Sequence, residues 1–230
     1  MPRLLPRLSA LSLLILAGAL SACSTPAAPV TAPSEPSSSA TEAPADDDAS
    51  WLASFGDFEP QVYTGSGVLE IDLPAGVTGG LVTAEYQGDD NFRIAPRTAD
   101  GEPAEPNLVN HVGDYTGTTV WGLSHNDVAV LFVEVERGEY TITLSPITSA
   151  PAFAIPASGD SDAVFISDLD ARGYVLKSLD ADRPVTTAVE TATGGESTRA
   201  EANSAVAFAL PGGTALIVVR AEMIPWEIIP

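Results

Sequence analysis

The two histidines, His111 and His125, are the first residues to weigh for chemistry. A zinc site takes three or four ligands, and neither histidine sits in an HxxxH or HExxH spacing. The only cysteine, Cys23, stands near the N-terminus, far from both. The pattern predicts no metal and no cofactor. Ser124, His125 and Asp127 have the residue types of a nucleophile, a base and an orienter. Near-neighbours in an extended chain point to different sides, so they do not line up as a triad. No GxSxG elbow is present. Acidic turns recur at Asp89-Asp90, Asp160 to Asp162, Asp168-Leu169-Asp170 and Asp180-Ala181-Asp182. The stretch from Asp168 opens like an EF-hand loop, then puts Arg172 at a ligand position and Leu179 where a bidentate Glu belongs. A weak calcium site between two such turns stays open. Most acids fall in turns or at outward strand positions, which predicts solvation. Two that met across a cleft would suit glycoside cleavage.

Aromatic residues supply the remaining chemical signal. Tyr115 and Trp121 lie in the same stretch as both histidines. Rigid aromatic faces on loops can hold sugars or proteins. The competing reading puts Trp121 in the core, where tryptophan is usually buried. The candidate ligand-binding region is therefore Asn107 to His125, with His111, Tyr115, Trp121 and His125 as its named residues.

Cys23 calls for a different chemistry. Arg3 and Arg7 precede an uncharged apolar run, Leu8 to Leu20, and small residues lead to the cysteine. These are the parts of an export signal. The run is shorter than the roughly 20 residues that a membrane-spanning helix needs. Leu20-Ser21-Ala22-Cys23 resembles the lipobox of bacterial lipoproteins. The resemblance implies cleavage before Cys23, lipidation of its thiol, and a mature protein held at the extracytoplasmic face of the cell membrane. Residues 1–22 are then the signal peptide.

Residues 23–50 read as a tether. Ser24 to Asp48 holds five Pro and eight Ser or Thr, with no aromatic residue. Such a segment buries too little apolar surface to offset the entropy of ordering. As a flexible coil it would reach roughly 30 Å, and about 75 Å as extended polyproline II. Loss of the signal takes Arg3 and Arg7 and no acid. The ten basic side chains become eight against 31 acids, and the formal charge moves from −21 to −23. No basic stripe is available for nucleic acid, and anionic lipid would repel the globular part.

From Trp51 onward the chain alternates in short apolar and polar steps broken by Gly, Pro and Asp. Leu69, Ile71 and Leu73 share a face, as do Leu131, Val133 and Val135, and Tyr140, Ile142 and Leu144. Period-2 alternation without helical periodicity predicts antiparallel sandwiches or barrels. The plan recurs. Val164 and Ile166 echo Leu69 and Ile71 at an offset of 95 residues. Ile217, Val219, Ala221, Trp226 and Ile228 echo Leu131, Val133, Val135, Tyr140 and Ile142 at an offset of 86. The nine-residue difference predicts a loop lost from the second copy, in the stretch after Arg97. The expected fold is all-β: two tandem antiparallel β-sandwich, jelly-roll-like modules, at 51–148 and 149–230, joined near Pro146 to Ser158.

The first module is similar to jelly-roll domains appended to secreted bacterial peptidases. The likeness rests on Gly65-Ser66-Gly67, on Gly88-Asp89-Asp90-Asn91-Phe92, on Gly113 to Thr118 and on Tyr140-Thr141-Ile142. These are turn and strand motifs, so they imply a fold and no activity. The expected function is a membrane-anchored, extracytoplasmic lipoprotein with a non-enzymatic binding or structural role. Its partners would be the membrane, through Cys23, and an envelope protein or glycan. A secreted carboxylate-using hydrolase, or an accessory module for envelope polysaccharide, is the alternative.

Overall fold

The computed structural model describes residues 51–124, 127–180, 187–193, 196–202 and 204–230. Cys23, the signal and the tether lie outside the described residues, as does His125. Eight strands make the first module: β1 (Gln61–Gly65), β2 (Leu69–Asp72), β3 (Gly80–Gln87), β4 (Asn91–Arg97), β5 (Val109–Val112), β6 (Tyr115–Trp121), β7 (Val130–Glu134) and β8 (Glu139–Ser145). Eight more make the second: β9 (Ala157–Gly159), β10 (Ala163–Ser167), β11 (Arg172–Ser178), β12 (Thr187–Thr193), β13 (Glu196–Ala202), β14 (Ala205–Leu210), β15 (Ala215–Arg220) and β16 (Trp226–Ile229).

The first module stacks a β1-β8-β3-β6 sheet with a β2-β7-β4-β5 sheet, and all pairings are antiparallel. The second stacks β9-β16-β11-β14 with β10-β15-β12-β13. Each strand of the second module takes the place of the strand eight earlier in the first. Both are eight-stranded jelly rolls, and the expected duplication is present in the connectivity.

The inward faces close two separate cores. Ile71, Val82, Phe92, Ile94, Trp121, Leu131 and Ile142 fill the first. Tyr174, Leu176, Ile217, Val219, Trp226 and Ile228 fill the second. A third apolar cluster lies between the modules, where Leu81 and Val120 meet Val164, Leu216 and Val218. Trp51 to Ala53 form a helical turn, and Leu52 is buried in this same cluster. The Trp51 indole donates to the Thr214 carbonyl at 3.2 Å. Burial on both sides explains why Ala215 to Val219 is continuously apolar and fully buried.

One expected register is wrong by a residue. Leu69 pairs with Val133, whereas Val164 pairs with Val218 and not with Val219. The core-facing counterparts of Leu69 and Ile71 are Ala163 and Phe165, which pack on the second core. Val164 and Ile166 face the inter-module cluster instead. A slip of one position exchanges the two faces of a strand. The shortened loop is where the sequence put it. Residues 98–108 separate β4 from β5, and only 194–195 separate β12 from β13.

Candidate functional site

A cleft of about 410 Å³ opens between the modules. Its first-module wall comes from the long β4–β5 loop at Glu105 to Leu108, from β5 and from β6. Its second-module wall holds Asp162, Arg199, Arg220 and Glu222. The length of the β4–β5 loop lets Glu105 to Leu108 reach this wall.

Asp162 joins the walls. It precedes β10, is buried, and accepts the Tyr115 hydroxyl on Oδ2 at 2.8 Å. Its Oδ1 accepts the backbone N–H of Ala221 at 2.6 Å and of Glu222 at 2.9 Å. Its carbonyl accepts the Thr118 N–H at 2.9 Å. A solvated turn was the expectation for Asp160 to Asp162, and Asp162 departs from it. The departure is physically sound because three donors satisfy the buried carboxylate. Burial, reinforced by the Asp162 charge, pushes the Tyr115 phenol far above its ordinary range, so it remains a donor. Gly117 gives the hydroxyl its room: a Cβ there would stand 2.6 Å from the Tyr115 oxygen and 3.2 Å from Asp162 Cβ.

The turn that Asp162 holds is unusual. Ile224 N–H bonds back to the Ala221 carbonyl, and the central residues Glu222 and Met223 both have positive φ, 48° and 65°. Two positive central values mark a type I′ turn, which ordinarily takes Asn-Gly. Here the pair is Glu-Met, and it is held by the two N–H bonds to Asp162 and by the Met223 sulfur, which accepts the Thr116 N–H at 3.4 Å. Backbone outliers of this kind collect at functional sites.

The other acids of the cleft are partly spoken for. Glu105 accepts N–H bonds from Gly122 at 3.2 and 3.3 Å and from Ser124 at 3.3 Å. Burial, with Asp162 nearby, pushes the Glu222 carboxyl up, while His111 and Arg199 pull it down. Arg220 donates from Nη1 to Thr119 Oγ1 at 3.2 Å, and its enclosed Nε–H finds no acceptor among the described residues. Among the described residues no group of three or more His, Cys, Asp or Glu is arranged to hold a metal ion.

The structure sorts the four residues named from sequence. His111 lies on β5 and lines the cleft, its ring 5.8 Å from that of Tyr115. Tyr115 lines the cleft as well, but as a buried clasp rather than an exposed anchor. Trp121 follows the competing core reading and not the ligand-binding one. It ends β6, is fully buried, and lies against Gly80, where a Cβ would stand 2.8 Å from its Cζ2. His125 is outside the described residues. Arg199, Arg220 and Glu222 were not singled out for a site, and Asp162 was named only within an acidic turn open to a weak calcium site, because the ligand-binding reading stayed on the first module.

The fold and the cleft define a protein of two fused jelly rolls with a polar crevice at the seam. No protein-family model matches the chain, and no curated protein matches it. Among solved structures it is similar to a conserved protein of unknown function from Pseudomonas aeruginosa, at 9% identity over 74% of this chain and 76% of that one, with a TM-score of 0.25. It is similar to a chain of the Sulfolobus turreted icosahedral virus, at 7% identity over 73% and 89%, with a TM-score of 0.22. Bacillus subtilis oxalate decarboxylase at pH 4.6 matches at 9% identity over 76% and 75%, with a TM-score of 0.19.

Proposed function

We propose that this chain is a lipid-tethered, non-enzymatic binding protein at the extracytoplasmic face of a bacterial membrane, and that the inter-module cleft is its binding site. The observation that carries the reading is the convergence of His111, Tyr115, Arg199 and Arg220 from two modules on one concavity of ligand-pocket size. The Leu20 to Cys23 motif supports the tether, and residues 23–50 supply its reach. A binding role is favoured over carboxylate hydrolysis by the commitments of the acids. Asp162 and Glu105 already accept two or three hydrogen bonds each, which leaves Glu222 as a single carboxyl where glycoside cleavage uses a pair.

Two variants test the two halves. Wild type should fractionate with membranes, and Cys23→Ala should be released or remain as a longer precursor. Identical fractionation and migration of the two would end the tether reading. Asn107 is exposed at the rim of the cleft. Asn107→Trp should abolish retention of an envelope solute by the detergent-solubilised full chain while leaving its thermal melt in place. A solute retained equally by both would put the site elsewhere.

A further inference from the structure

We propose that the cleft selects a small solute bearing an oxyanion, a carboxylate or phosphate, seated on the guanidinium of Arg220 with Arg199 beside it. This rests on the cleft being the binding site. The first argument is charge. Acids outnumber basic side chains 31 to 10 along the chain, yet two of the ten basic residues and His111 line this one crevice. Such a surface repels anions generally, and these cations make the cleft a local exception where an anion can be held.

The second argument is the disposition of the acids that share the cleft. Asp162 faces the Tyr115 hydroxyl and two backbone N–H groups. Glu105 is turned onto the amides of Gly122 and Ser124. Burial, with Asp162 nearby, pushes the Glu222 carboxyl up, against the pull of His111 and Arg199. Two of the three acids are thus satisfied by donors within the protein.

The third argument is an unfilled donor. A guanidinium presents five N–H groups in a planar fork that matches carboxylate and phosphate oxygens. One arm of Arg220 is fixed by Thr119, which sets the plane of the fork. Its Nε–H is enclosed without an acceptor among the described residues, so the guanidinium is not fully satisfied within the protein. Asn107, Asn110 and Ser124 around the rim offer amide and hydroxyl groups to the rest of the solute. The volume suits a sugar acid or an acidic amino-acid derivative better than a bare ion.

The test is a thermal-shift and calorimetric panel on the detergent-solubilised full chain. It pairs D-glucuronate with D-glucose, N-acetylglutamate with N-acetylglutamine, and glucose 6-phosphate with glucose, and adds inorganic phosphate alone. Members with an oxyanion should bind, their neutral partners should not, and the better of the carboxylate and phosphate arms identifies the source. Arg220→Gln should weaken binding at least about tenfold, the loss of one charge-assisted pair, and Arg220→Lys should restore part of it. Should Arg220→Gln unfold, Arg199→Gln and the wild-type pairs still decide. If the neutral partners bind as well as the acids and Asn107→Trp abolishes both, the site stands and the oxyanion inference falls. If no member of the panel binds, or binding ignores Asn107→Trp, the inference falls and the cleft loses its assigned role in this chemistry.

Discussion

At the scale of single residues the molecule depends on Asp162. It satisfies Tyr115 from one module and the Ala221-Glu222 amides from the other. Asp162→Ala would leave those three donors buried and unpaired, at about 1–3 kcal/mol for each. We expect a loss of at least about 3 kcal/mol by urea denaturation, and a smaller loss for Asp162→Asn, whose amide oxygen can still accept the two N–H groups. Equal stability of Asp162→Ala and wild type would mean that water replaces the carboxylate without cost. This residue could not be read from the sequence. Asp160-Ser161-Asp162 looks like any solvated acidic turn, and what buries it is a tyrosine 47 positions earlier. His111 was legible because the histidines are few. Arg199 and Arg220 were not, because nothing local distinguishes them from other strand-borne arginines.

At the scale of elements, the two modules repeat a packing detail as well as a strand order. Tyr140 of β8 lies against Gly65 of β1, and Trp226 of β16 lies against Gly159 of β9. A Cβ on Gly65 would stand 2.9 Å from the tyrosine oxygen, and one on Gly159 2.8 Å from the tryptophan Cζ2. An aromatic laid over a glycine of the neighbouring edge strand covers backbone that would otherwise be bare. Gly159→Ala should therefore cost about 1–3 kcal/mol by chemical denaturation, through overpacking against a fully buried ring. No change would mean that Trp226 swings aside freely. The offset of 86 between Tyr140 and Trp226 was visible because β8 and β16 alternate cleanly. β10 was misjudged by one residue for the opposite reason. Val164, Phe165 and Ile166 are apolar on both faces, so the pattern has no phase to read, and only the pairing with β15 sets it.

At the scale of the whole molecule, the seam is as apolar as a core. Val164, Leu216 and Val218 of one module, Leu81 and Val120 of the other, and Leu52 from the helical turn pack together there. Pulling the modules apart would expose all of them at about 25 cal/mol for each Å² of apolar surface. The described body should therefore unfold in one transition. The three tryptophans report on it from three places: Trp51 at the seam, Trp121 in the first core and Trp226 in the second. Tryptophan fluorescence and far-ultraviolet circular dichroism should give coincident urea curves. Two separated steps would show modules that stand independently.

The pairing of first strands with last ones also sets an order in time. A chain is synthesised from its N-terminus, and among the described residues β1 pairs with β8 alone, as β9 does with β16. Contacts this distant along the chain close slowly. Leu81 and Val120 wait longer still, since the residues that cover them, Leu216 and Val218, lie about a hundred residues beyond Val120 in the chain. Until those emerge the nascent protein carries a bare apolar face, the condition under which partly made chains associate with one another. A premature stop before Ala215 would make that interval permanent, so a chain cut there should yield aggregates in place of a smaller soluble protein.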